Sequence, residues 1–145
     1  MSMDKSIGSA SVRLSKKITR IVNFHLKPYH ITTEQWAVLR TLHETDQITQ
    51  KELSHRTDKD QATLTKILDL IEKRGWIQRI SNPADRRSFL IEITEQGRAL
   101  VQELTSYIEE IFTKMIADIE QEKLKVYQEV MHLMESNIDQ LLDRE

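Results

Sequence analysis

Apolar residues near the start of the chain recur at helical spacing. Val12, Ile18, Ile21, Val22 and Leu26 form one stripe over residues 10–26, with Lys16, Lys17 and Arg20 opposing it. Pro28 ends this first helix, because the residue before a proline is pushed out of helical geometry. Thr32 and Gln35 stand at capping-box spacing and open a second helix, which buries Trp36, Val38, Leu39 and Leu42. Thr49 and Glu52 repeat that spacing and open a short third helix to about Arg56, anchored by Leu53. After the tight connection Thr57-Asp58-Lys59, Asp58 is expected to cap a fourth helix, with Gln61 three residues on. That helix covers about 60–74 and buries Leu64, Ile67, Leu68 and Ile71, with Gly75 as its left-handed stop.

The period then changes. Trp76 to Ile80 and Phe89 to Ile93 read as two strands around turn chemistry in Ser81-Asn82-Pro83-Ala84-Asp85. Thr94 caps a long helix of about 95–119, and a last helix covers about 122–142. The first of these carries Leu104, Ile108, Ile111 and Met115 at spacings of four and three. The second carries Tyr127, Val130, Met134, Ile138 and Leu141. Such a seam packs either inside one protomer or across a dimer. The fold class expected is mainly α with a small β-hairpin, about six helices in all.

Composition agrees with long elements and few turns, since 145 residues include only 3 Gly and 2 Pro. The absence of cysteine excludes disulfides, thiolate metal sites and thiol chemistry. No apolar run approaches the ~20 residues that span a bilayer, and no signal-peptide core opens the chain, so a cytoplasmic protein is expected. A net charge of −2 hides a strong segregation. Residues 1–30 hold six basic side chains against one acidic, and residues 49–90 nine against six. Residues 91–145 hold five against thirteen. A polyanion would meet the first two blocks.

The third and fourth helices, joined by a short turn, have helix-turn-helix character. In such units the start of the second helix meets base edges. Its outward residues are Asp60, Gln61, Ala62, Thr63, Thr65 and Lys66. Gln suits adenine, Thr and Ala methyls suit thymine, and Lys suits guanine or phosphate. The plainer reading, a solvated polar helix face, weighs about as much for these residues alone. The hairpin tips the balance. Arg86 and Arg87 adjoin its turn, and adjacent exposed arginines favour a nearby anion such as a narrow minor groove. Asp85 can orient Arg87 through a charge-assisted bond, and Ser88 completes the tip.

From Asp85 to Thr94 the chain resembles the wing signature of the MarR (multiple antibiotic resistance regulator) family, written Asp, any, Arg, five of any, Leu, Thr. Asp85, Arg87 and Thr94 match, and Ile93 replaces the leucine. Ala62 to Asp69 and Glu72-Lys73-Arg74-Gly75 resemble the family's recognition helix and its end. The likeness in element order covers nearly the whole chain. It implies a winged helix-turn-helix protomer spanning 1–145, with a DNA-binding lobe at 32–93. It also implies dimerisation helices at 8–30 and 95–145. The partners implied are a pseudo-palindromic duplex operator, a second copy, and a small effector, often an aromatic or phenolic anion. Two departures matter: Leu70 is apolar where the family often has a polar or basic residue, and the thiol-oxidation switch of some members has no cysteine to use.

The function expected is therefore a DNA-binding transcription regulator, a repressor released by a small aromatic ligand. The rival is a winged-helix module that binds protein. A weaker rival is a ligand-binding helical dimer with an inactive DNA lobe. For the ligand, Tyr29, Trp36, Arg40 and His43 cluster in sequence around the junction of the first two helices, together with His25 and His30. The plainer reading there makes Trp36 core and the histidines surface. No cofactor and no metal site are expected, because His25 and His30 lack helical ligand spacing and Pro28 lies between them. Nor is enzymatic chemistry expected, in the absence of a phosphate loop, a nucleophile elbow or a zinc helix.

Overall fold

A computed structural model of the chain describes residues 2–143. It comprises two compact units divided between Ile108 and Glu109. Among the described residues, six α-helices and three short strands follow one another, one strand between the second and third helices and two between the fourth and fifth. No helix among the described residues is long and apolar enough to cross a membrane.

In the first unit a π-helical segment, Asp4–Ser9, runs into α1 (Ala10–Leu26). Pro28 lies in a single 3-10 turn, and His30 then leaves in the left-handed region at φ 58°. The capping box of α2 (Thr33–Glu44) is formed in both directions. Thr32 Oγ1 accepts from Gln35 N–H at 3.1 Å, and the Gln35 side chain accepts from Thr32 N–H at 3.1 Å. Only half of the second expected box exists. Thr49 Oγ1 accepts from Glu52 N–H at 3.2 Å and starts α3 (Gln50–Thr57), but the Glu52 carboxylate pairs with Arg56 at 3.0 Å instead of turning back.

The cap of α4 (Gln61–Lys73) also differs from expectation. Asp58 adopts φ 51° and ψ 49° and closes α3, while Asp60 is extended and caps α4. Two aspartates flank Lys59, and the left-handed step needed to turn the chain falls on the first, leaving the second to receive the free amides. The helix ends as its glycine requires: Gly75 has φ 80°, and Trp76 N–H reaches back to Ile71 C=O at 3.0 Å.

The hairpin strands β2 (Ile77–Ser81) and β3 (Phe89–Ile93) pair antiparallel, with Ile77 opposite Ile93 and Arg79 opposite Ile91. A third strand, β1 (Ile48–Thr49), was not legible in the sequence. It pairs with the outer side of β3, giving the order β1-β3-β2. Leu39, Leu42, Leu53, Leu64, Leu68, Ile71 and Ile91 form the fully buried centre. Val22 and Leu26 join it from α1, whereas Val12 and Ile21 of the same expected stripe are exposed. Val101, Leu104 and Ile108 are buried on α5.

The fifth helix, α5 (Glu95–Met115), begins in the first unit and ends in the second, four residues earlier than its pattern suggested. Asp118 turns left-handed at φ 64°, and α6 (Gln121–Asp143) follows. Tyr127, Val130, Met134, Ile138 and Leu141 are all exposed.

Candidate nucleic-acid interface

The α3–α4 connection is fixed by its own bonds. Lys59 N–H reaches Ser54 C=O at 3.0 Å. Asp60 Oδ1 accepts from Thr63 N–H at 2.7 Å, and Thr63 Oγ1 donates to Asp60 Oδ2 at 3.0 Å. These bonds favour the carboxylate, led by the Thr63 amide and then its hydroxyl, and hold Asp60 below the ordinary aspartate range. Across the two helices, Gln50 Nε2 donates to Thr65 Oγ1 at 2.7 Å, while Thr65 Oγ1 donates to Gln61 C=O at 2.8 Å. Of the six recognition-helix candidates, Asp60 and Thr63 are thus engaged in the cap and Thr65 in the inter-helix bond. Gln61, Ala62 and Lys66 stand exposed with free ends.

The hairpin tip is equally self-organised. Asn82 Oδ1 accepts from Ala84 N–H at 3.0 Å, and Asn82 Nδ2 donates to Ser88 Oγ at 2.9 Å. Asp85 N–H donates to Asn82 C=O at 3.2 Å. Asp85 Oδ1 accepts from Arg87 N–H at 3.0 Å and lies 3.4 Å from Arg87 Nε. The Asp85–Arg87 contact is therefore present. It is long, however, and the Arg87 side chain is 92% exposed, so the charge projects into solvent beside that of Arg86.

Between the hairpin and the starts of α3 and α4 lies a cleft of about 300 Å³, lined by Gln50, Lys51, Gln61, Arg79 and Phe89 among others. Lys51, Arg79 and Phe89 were not singled out from the sequence. Phe89 is 57% exposed although strand alternation puts it on the same face as the buried Ile91, so its exposure carried no signal in the sequence. Arg79 carried no local signal at all.

The effector candidates are less gathered. Trp36 is buried, with an Nε1–H that has no partner among the described residues. Tyr29 and His43 are half-buried, and Arg40 is exposed. Tyr29 instead faces Tyr107 of α5, with ring centroids 5.9 Å apart, and Tyr107 OH is hydrogen-bonded to His25 Nδ1 at 2.9 Å. No contact joins Arg40 to this aromatic group among the described interactions. Sequence spacing placed His25 near Tyr29 but could not bring in Tyr107, which lies 82 residues from His25.

Comparison with known proteins places this geometry. Residues 31–89 match the model of the MarR family. A structure of Staphylococcus aureus MepR in complex with DNA superposes with a TM-score of 0.84 at 22% identity, covering 91% of this chain and 98% of that one. A probable transcriptional regulator from Pseudomonas aeruginosa gives 0.84 at 25% identity, over 92% and 99%. Bordetella bronchiseptica BpsR, described as regulated in its DNA binding by 6-hydroxynicotinic acid, gives 0.85 at 22% identity, over 93% and 96%. The chain has their winged helix-turn-helix fold.

Proposed function

We propose, from the premise that residues 31–89 are a MarR-family domain, that the chain is a homodimeric transcription regulator that grips a pseudo-palindromic operator. The α4 helix of each protomer enters a major groove through Gln61, Ala62 and Lys66. The wing lays Arg86 and Arg87 against the flanking backbone and minor groove. Paired recognition helices reach successive major grooves about 34 Å apart. The observation that carries this reading is the pairing of the exposed Gln61, Ala62 and Lys66 side chains on α4 with a hydrogen-bonded tip whose Arg87 charge is 92% exposed. Asp60, Thr63 and Thr65 then serve by fixing the start of α4, and Asp85 and Ser88 by fixing the tip.

Repression by occluding polymerase is the sign assigned, with release by a small aromatic anion. Supporting the second point are the aromatic group around Tyr29, the Trp36 Nε1–H, which has no partner among the described residues, and the likeness to BpsR, whose DNA binding is described as regulated by 6-hydroxynicotinic acid. Tyr29, Trp36, Arg40 and His43 remain the residues assigned to the effector. Such a ligand shifts the DNA-bound population only by its differential affinity for the two states.

A mobility shift with duplexes selected by the protein from a randomised pool tests the reading, at two salt concentrations. Arg87→Ala is expected to weaken binding and reduce the salt slope by about 0.9 per lost phosphate contact. Unchanged affinity at both concentrations removes the wing from the interface. Absence of any shift at low salt favours a protein-binding winged helix.

A further inference from the structure

Arg79 lies on the inward face of the wing sheet. Side chains alternate along a strand, so Ile77, Arg79 and Ser81 share one face of β2. Ile77 is 2% exposed, and Ile91, directly opposite Arg79, is 1% exposed. A guanidinium in this row needs compensation. It finds it on α4: Nη1 lies 2.5 Å from Glu72 Oε1, and Nη2 lies 2.9 Å from Asp69 Oδ1. The Arg79 backbone N–H also donates to Glu72 Oε2 at 3.3 Å. One residue of the wing therefore holds the fourth helix at two points, one helical turn apart.

The carboxylates it holds are badly placed for a DNA-binding helix. Asp69 follows Gln61 and Thr65 at four-residue intervals, so it continues the stripe that begins with the base-facing end of α4. Its side chain is 63% exposed, and that of Glu72 is 40% exposed. Without a counter-charge, two negative groups would border the path of a phosphate backbone. Ion pairs this exposed add little to folding stability, so their consequence is geometric and electrostatic.

We infer that Arg79 is a positioning residue of the DNA interface. It sets the wing against the recognition helix, and it neutralises Asp69 and Glu72 so that α4 can approach the duplex. Its guanidinium acts on DNA through those carboxylates and makes no phosphate contact of its own. This inference rests on the DNA-binding reading and adds a residue to it.

The test is a double-mutant cycle read as affinity for a duplex that the wild-type protein has selected from a randomised pool. Arg79→Met is expected to weaken binding about tenfold, because two unscreened carboxylates then face the duplex, each repelling a phosphate at close range in water by up to about fivefold in affinity. In a background carrying Asp69→Asn and Glu72→Gln, the same change is expected to alter affinity by less than about twofold, since the groups it screened are gone. If Arg79→Met fails to fold by circular dichroism, Arg79→Lys replaces it. Lysine keeps the charge but cannot fork to both carboxylates. Its loss of affinity is expected to be smaller and again confined to the background that retains Asp69 and Glu72. Equal losses in both backgrounds mean a direct DNA contact and overturn the inference while leaving the DNA-binding reading intact. No loss in either background overturns it as well. A wild-type protein that selects no duplex overturns both.

Discussion

Gly97 lies in the first turn of α5, where an added Cβ would collide with the backbone carbonyl oxygen of Trp76. The contact is tight because Thr94 ties the same two segments together. Its N–H donates to Trp76 C=O at 3.0 Å, and its hydroxyl donates to Gly75 C=O at 2.6 Å. Gly97→Ala is therefore expected to destabilise the fold by about 1–3 kcal/mol, because rigid backbone must move apart to admit the methyl group. Urea unfolding measures this, and an unchanged midpoint would show that the approach is looser than described. Asp60 makes a pH prediction at the same scale. Its folded pKa is depressed, so its contribution is present above the ordinary aspartate range and is lost as pH falls through the lower, folded value. Asp60→Asn, which keeps an acceptor for the Thr63 amide, is expected to flatten the acid limb of a melting-temperature profile while preserving the helix. A profile identical to wild type would remove Asp60 from the linkage.

Among the elements, those whose identity rests on local period and local caps were legible. The α2 box, the α4 stripe of Leu64, Ile67, Leu68 and Ile71, and the glycine stop at Gly75 each draw on neighbours in sequence. The misreadings fall where a non-local partner decides. The two residues of β1 have no pattern of their own and become a strand only because β3 offers a free edge at Leu90 and Ile91. Asp58 and Asp60 are equivalent as text, and the geometry of the turn alone assigns one to end α3 and the other to begin α4. Arg79 belongs to the same class, since its partners lie seven and ten residues away on another element. The turn can be tested directly. Asp58 holds φ 51°, so Asp58→Gly is expected to be neutral or stabilising, and Asp58→Val to cost about 1–2 kcal/mol. Thermal melting that shows no difference between the two variants would contradict the left-handed assignment.

For the whole molecule, charge and apolar surface divide the work. The first unit, which carries the wing, is net basic, with much of the excess in residues 1–30. The second unit is acidic overall and presents Tyr127, Val130, Met134 and Ile138 along α6 with 38–49% of each side exposed. An amphipathic face of this extent on a charged helix suits a second copy, as proposed above. Val130→Glu together with Met134→Glu is expected to give monomers in sedimentation and to lower operator affinity by at least about a hundredfold, because two linked half-sites become one. A stable dimer from that variant would place the contact elsewhere. The same bare helix bears on how long a subunit survives. Proteases cleave chain that has locally unfolded, and pairing would keep this helix folded and covered. Scarce protomers would then be cleared faster than abundant ones, which would make turnover steepen as the regulator is diluted by growth.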